Sequence, residues 1–338
     1  MSFHGSRDVM PPNQEQLRHL TAALVEPAGY GPTDPLVIGV RQGSAPPVFL
    51  ASGRTATGEP LTAGTTVYTA SLSKQITAAC AALLVREGRL DTESPLAQWM
   101  PELPGWADAV RVRHLIHHTS GLPEGVHIDE LLRAEPDRTT AGVIRALARL
   151  DDLPGKPGTE FRYCNAGYVC LAVIVERAAG QPLPDFAREH VFLPLAMVTT
   201  RYWSGPAPHP PGAAPLDPLS PAPLSLGDGG VWSTAQELMR WNEALDRDEL
   251  GVSALLHTPG HLDDGTPLSY AWALEVRTEA CRRIYRHGGS WPGLSTQLVR
   301  IADQDASFVI VALDDDTDRT VTLAIAMVEE LAPSSEPW

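Results

Sequence analysis

Strand-like segments at both ends of the chain, with helical segments between them, constrain the fold more than any other feature of this sequence. Leu36-Val37-Ile38-Gly39-Val40 and Val48-Phe49-Leu50-Ala51 are short apolar runs joined by a turn at Gln42-Gly43-Ser44, and Thr66-Val67-Tyr68-Thr69 follows. Toward the other end, Tyr270 to Arg277, Cys281 to Arg286, Ser295 to Ile301 and Ser307 to Leu313 read as successive antiparallel strands. Asp303-Gln304-Asp305 makes the last hairpin. Gln14 to Val25 and Val321 to Leu331 are expected as terminal helices. Between the strand groups, Leu90 to Met100, Val112 to His117, Thr140 to Leu150, Val169 to Ala179 and Ala235 to Leu245 carry helical spacing. Pro101, Pro104, Pro123 and Pro136 punctuate the helical region.

A chain of 338 residues can bury a large core, as one big domain or two intimate lobes. Its net charge of −15 argues against nucleic acid or an anionic membrane as a partner. The first thirty residues carry Arg7, Asp8, Glu15 and Arg18 and no apolar stretch, so no signal peptide is expected. Residues 1–13 are polar with a Pro pair and should fray. Cys80, Cys164, Cys170 and Cys281 lack any zinc spacing, and reduced thiols in a cytoplasmic protein are the simpler reading.

The helix beginning near Ser71-Leu72-Ser73-Lys74 carries chemistry. Apolar residues at Ile76, Ala79, Cys80, Leu83 and Leu84 follow the helical period, and Gly88 offers a stop. Ser71 then stands at a helix start with Lys74 one turn on, along the same face. A serine hydroxyl becomes a nucleophile when a neighbour takes its proton, and an amine can do so only when its pKa falls well below the free value. Of 26 Lys and Arg residues only Lys74 and Lys156 are lysines, so an amine is kept where a guanidinium could not deprotonate. An ordinary helix start with Ser as cap and a solvated lysine is the competing reading.

Further segments gain meaning in combination. Tyr163-Cys164-Asn165 lies on a loop, where extended backbone points Tyr163 and Asn165 the same way and Cys164 the other. A phenol beside an amide suits proton shuttling and substrate hydrogen bonding, and plain packing is the alternative. His287-Gly288-Gly289-Ser290 is expected between two strands. Its glycines allow close approach to a ligand, with the Ser290 N–H available to an oxyanion, or it is simply a glycine-rich edge. His114 and His118 stand four apart, but without the glutamate of a zinc-protease helix or a third ligand. Gly227-Asp228-Gly229-Gly230 reads as a tight backbone passage rather than a phosphate cradle. Asp314 to Asp318 reads as helix capping rather than a calcium loop. Ser204 to Pro223, crowded with proline, is a long stiff loop placed to shape a cleft.

Ser71-x-x-Lys74, Tyr163-x-Asn165 and His287-Gly288-Gly289, in this order on a helix start, a loop and a strand edge, resemble the serine β-lactamase and penicillin-binding protein superfamily. The resemblance is to its class C-like branch, which also holds D-aminopeptidases, DD-carboxypeptidases, esterases and transesterases. It runs from about residue 34 to 330 and takes in His118-Thr119-Ser120-Gly121-Leu122, Phe192 to Met197, and Gly229 to Thr234. It implies an α+β fold of the β-lactamase/DD-peptidase type, an antiparallel sheet flanked by terminal helices plus an inserted helical lobe. The unit would span about 14–335, with a sheet lobe over about 14–70 and 225–335 and a helical lobe over about 71–224.

The resemblance further implies Ser71 as the acylated nucleophile, Lys74 as its proton acceptor or neighbour, and Tyr163 as general acid or base. Asn165 would hold the substrate amide, while His287, Gly288, Gly289 and Ser290 would line the substrate, with the N–H groups of Ser71 and Ser290 as oxyanion hole. No metal or cofactor is implied. The expected activity is hydrolysis of a small ester or amide through an acyl-enzyme, or acyl transfer from the same intermediate. His287 replaces the lysine that clamps a substrate carboxylate in β-lactamases, which argues against efficient β-lactam hydrolysis. Ala271 and Ala273 stand where the branch often has glycines, and Leu313-Asp314-Asp315 replaces a frequent Ser-Asn.

Overall fold

The computed structural model describes residues 13–333 apart from 206, 218–221 and 280–281. Of residues 1–13, expected to fray, 1–12 lie outside the described residues, as does the placing of Cys281 at a strand start, while Asn13 is held as a helix cap. The chain enters through helix Gln14–Val25. Asn13 accepts from the Gln16 N–H at 2.9 Å and the Gln16 side chain accepts from the Asn13 N–H, a reciprocal cap that starts the helix where the apolar period starts.

Among the described residues nine strands follow in chain order. They are β1 (Leu36–Gln42), β2 (Val48–Ser52), β3 (Val67–Tyr68), β4 (Arg201–Tyr202), β5 (Val231–Ser233), β6 (Glu275–Glu279), β7 (Arg282–Trp291), β8 (Leu294–Ile301) and β9 (Ala306–Ala312). Six form one antiparallel sheet in the order β2-β1-β9-β8-β7-β6, so both ends of the chain meet at the β1–β9 pair. The other three, β3-β5-β4, make a small sheet under the first motif.

The period of two decides what each face buries. Leu36, Ile38 and Val40 of β1 and Phe308 and Ile310 of β9 turn to one face, against Leu17 of the first helix and Leu323, Met327 and Leu331 of helix Thr317–Leu331. Val37, Val309, Val311 and Leu298 turn to the other face and join Met239 and Trp241 of helix Ala235–Asp246. Both faces are covered, so these strands read as continuous apolar runs rather than alternating ones.

Helix Ser73–Arg86 is buried almost all round, with Ala78, Ala79, Cys80, Ala81, Ala82 and Leu84 at 0% exposure. Small side chains let it pass close to helix Asn165–Ala179, itself buried from Ala166 to Val175. Cutting Leu84 to alanine here would cost about 2–5 kcal/mol, the usual range for a buried leucine. Among the described residues no helix is long and apolar enough to cross a membrane.

Several expectations shift. Of Leu90 to Met100 only Leu96–Trp99 is helical, because Pro95 fixes an extended turn just before it. The third strand is only Val67–Tyr68 and pairs with β5, not with the large sheet. The strand expected from Tyr270 begins at Glu275, since the chain folds back with the Ala271 N–H bonded to the Leu274 carbonyl at 2.7 Å. Helix Asn165–Ala179 starts four residues before the expected Val169. His287 to Ser290 lie inside β7 rather than between strands, because β8 pairs with β7 through Trp291.

Candidate active site

Ser71 sits in a single tight turn, Ala70–Leu72, that leads directly into helix Ser73–Arg86. Ala70 takes a left-handed φ of 48°, a conformation costly for a residue with a Cβ. The surroundings hold it there: the Thr69 N–H and hydroxyl both donate to the Val231 carbonyl, at 3.0 and 2.9 Å. The Val231 N–H donates to the Ser73 hydroxyl at 3.0 Å, so the turn is fastened to β5 on both sides of Ser71.

Lys74, wholly buried, donates to the Ser71 Oγ at 3.0 Å and to the Asp228 carbonyl at 2.8 Å. Gly227-Asp228-Gly229-Gly230 is the tight passage expected, and it supplies that second acceptor. A Cβ on Gly227 would stand 2.3 Å from the Tyr168 carbonyl, and one on Gly229 2.2 Å from the Tyr68 hydroxyl. One Asp228 carboxylate oxygen is buried without a partner among the described residues. Burial pushes that carboxyl above its ordinary pKa while the charge of Lys74 pulls it back.

Tyr163 brings its ring within 4.9 Å of the Lys74 Nζ. Cys164 turns away into the core, its Sγ 3.4 Å from the Pro123 carbonyl, as the alternation predicted. Asn165 is exposed at the first position of its helix. On the opposite side β7 packs against the Ala70–Leu72 turn, with Gly289 buried and Ser290 exposed. A cavity of about 410 Å3 adjoins these groups, lined by Phe161, Tyr163, Tyr270, Glu275, Arg286 and His287 among others. The fold thus brings Ser71, Lys74, Tyr163 and the His287–Ser290 stretch of β7 close together, with Tyr163, His287 and Gly288 on the cavity wall. His114 and His118 do not converge: the His114 Nε2 faces Asp263 at 3.2 Å and the His118 Nε2 faces the Tyr270 hydroxyl at 3.2 Å.

The beta-lactamase family profile matches residues 36–331. The chain belongs to the beta-lactamase family. It is 30% identical over 291 residues to a penicillin-binding protein of Bacillus subtilis strain 168, covering 77% of this chain and 63% of that protein. It is 29% identical over 268 residues to a D-aminopeptidase of Cereibacter sphaeroides, covering 75% of this chain and 51% of that enzyme. The chain thus spans roughly half to two thirds of the length of these relatives. Among solved structures, the D-amino acid amidase of Ochrobactrum anthropi SV3 complexed with D-phenylalanine superposes with a TM-score of 0.77 at 20% identity, covering 94% and 99% of the two chains. That likeness establishes the fold.

In this family member three site features were not legible as such in the sequence. The Asp228 carbonyl acts through its backbone, which no side-chain pattern reports. His118 was visible only within a turn, yet its ring lies 4.3 Å from that of Tyr163. Tyr270 reads as a strand residue, but its phenol bonds both His118 and the Nε2 of His287, the latter at 3.0 Å. Left-handed backbone at His118 (φ 55°) and Ala273 (φ 57°) turns the chain beside each of these groups.

Proposed function

We propose that the protein is a serine hydrolase that cleaves a small ester or amide through an acyl-enzyme on Ser71. The observation that carries this reading is the 3.0 Å bond between the Ser71 Oγ and a fully buried Lys74. In the proposed reaction the Ser71 Oγ attacks the scissile carbonyl carbon and its proton passes to Lys74 or to Tyr163, whose ring lies 4.9 Å from the Lys74 Nζ. The Ser71 and Ser290 N–H groups take the oxyanion, and Asn165 holds the substrate amide. The leaving amine or alcohol departs with a proton from the same acid–base pair, and water then releases the acyl group. Tyr163-x-Asn165 and His287-Gly288-Gly289 in the second and third motif positions support the class C-like branch.

The D-aminopeptidase relative supports amides carrying a free amine as the substrate class, and favours water over an alcohol or amine as acyl acceptor. Three buried free thiols, Cys80, Cys164 and Cys170, support a reducing, cytoplasmic setting. The test is labelling by a fluorophosphonate with intact-mass detection, alongside turnover of p-nitrophenyl esters and D-amino acid amides. Ser71→Ala should abolish both labelling and turnover, and chelators should change neither. A Ser71→Ala protein that still turns over substrate, or an enzyme killed by metal removal, overturns the proposal.

A further inference from the structure

A hydrogen-bond chain runs through the site from one backbone group to another. The Cys164 N–H donates to the His118 Nδ1 at 3.1 Å, so that nitrogen carries no proton and the neutral ring must carry one on Nε2. His118 Nε2–H then donates to the Tyr270 hydroxyl oxygen at 3.2 Å. At the far end, the His287 Nδ1 lies 2.6 Å from the Gly288 carbonyl, which can only accept, so the proton of His287 is on Nδ1. Its Nε2 needs a donor, and the single Tyr270 proton, at 3.0 Å, supplies it. The backbone groups at the two ends set the tautomers of His118 and His287, and His118, Tyr270 and His287 are all buried.

We propose that His118 and Tyr270 are positioning residues that hold His287 neutral, with both ring nitrogens engaged inside the protein, so that the site rejects a carboxylate beside the scissile bond. This specificity rests on the hydrolase reading above; the hydrogen-bond polarity does not. The charged and titratable groups facing His287 fit it. Lys74 comes from helix Ser73–Arg86, Glu275 from β6, and Arg286 is its neighbour on β7. Tyr163 stands with its ring 6.1 Å away. Burial first, then the charge of Lys74, hold the His287 pKa down to about 4, outweighing the Gly288 bond and Glu275. His118 is lowered in the same way by burial and by Lys74. Burial raises the Tyr270 phenol, which keeps the proton the chain requires. Tyr168 gives its own proton to the Ile116 carbonyl at 3.0 Å, which leaves its phenol oxygen beside Tyr270 as a second acceptor for the Tyr270 proton. The His287 Nε2, at 3.0 Å and with no other donor among the described residues, is the acceptor the proposal assigns.

The test is imidazole 15N NMR on the full-length protein labelled at histidine, with His118→Asn and His287→Gln used to assign the two rings. At pH 7.5 His287 should be neutral with its proton on Nδ1, His118 neutral with its proton on Nε2, and both should remain so at pH 5.5. A His287 that is cationic at pH 7.5, or protonated on Nε2 instead, overturns the proposal. In Tyr270→Phe the His287 Nε2 loses its donor, and its protonation midpoint should rise by about one pH unit or more. Acylation by benzylpenicillin at pH 6, relative to p-nitrophenyl acetate, should then rise by up to about tenfold, the increase in the cationic fraction of His287 that a one-unit rise gives at that pH. A folded Tyr270→Phe protein with unchanged midpoint and unchanged ratio also overturns it. Should that variant not fold, the wild-type spectra decide alone. Failure of the hydrolase reading shows separately, as absent fluorophosphonate labelling in a protein whose histidine tautomers are as stated.

Discussion

Gly289→Ala isolates how closely β7 must approach the turn that carries Ser71. A Cβ at this position would stand 2.6 Å from the Thr69 carbonyl oxygen, 2.6 Å from the Thr296 hydroxyl and 3.1 Å from the Ala70 Cβ. Ordinary contact begins at 3.4 Å, so the strand or the turn must yield by about 0.8 Å. The Thr296 hydroxyl can rotate away, but the Thr69 carbonyl cannot, because residue 69 is fastened to Val231 through its N–H and hydroxyl. The displacement falls on Ala70 and Ser71 on one side and Ser290 on the other, the groups proposed to attack and to bind the oxyanion. Overpacking of this kind costs about 1–3 kcal/mol of stability. A misplacement approaching 1 Å in a reacting constellation costs on the order of 100-fold in rate. Gly288→Ala is the comparison, since the three atoms nearest its Cβ all belong to the Gln297 side-chain amide, the first at 2.8 Å, and that amide can swing aside. The assay is kcat/KM for an aryl ester, with the urea midpoint measured on each variant. Gly289→Ala should lose about 100-fold, and Gly288→Ala should stay within about threefold. Equal losses in the two variants, or a Gly289→Ala enzyme of near wild-type activity, would refute the close-approach argument.

Lys74→Arg keeps a cation but cannot accept a proton, so it should lose as much acylation rate as Lys74→Ala, about 1000-fold, in single-turnover measurements. An active Lys74→Arg enzyme would assign the base role to Tyr163 alone. Burial holds His117 and His287 down to about 4 and His257 to about 3, below their ordinary 6.5. The unfolded chain therefore binds more protons on falling below pH 6.5, and stability is lost as the pH drops from 6.5 toward 4, by up to about 3 kcal/mol per group. Urea midpoints at pH 7.5, 6 and 5 should fall steadily, and a flat profile would contradict buried neutral histidines. At pH 8 the specificity constant for a short-chain aryl ester should exceed that for a penicillin. His287→Lys should shift that ratio toward the penicillin; an unmoved ratio would put carboxylate recognition elsewhere.

What the linear chain determined by itself is whatever depends on neighbours within a few residues. Ser71 and Lys74 meet because a helical start brings residues three apart to one face, and that holds although the turn is tighter than a regular helix. The hairpin at Asp303-Gln304-Asp305 forms because Asp305 tolerates a left-handed φ of 43°. The apolar runs of β1 and β9 announced strands, and the three motifs in order announced the family; that both faces of those strands are buried came from the packing. Tertiary structure decided the rest. The glycines of β7 suggest a break in the strand, yet β8 pairs with it through Trp291, so the break never occurs. Tyr270 to Leu274 has the composition of a strand, but the bond from the Ala271 N–H to the Leu274 carbonyl folds it back and aims the phenol inward. His118 and Tyr270 stand 152 positions apart, and the Asp228 carbonyl that holds Lys74 stands 154 beyond it. Local propensity carries no information across such separations. These groups meet because the sheet joins the two ends of the chain and the helices pack onto it, and burial by that packing is what sets the protonation of the histidines they enclose.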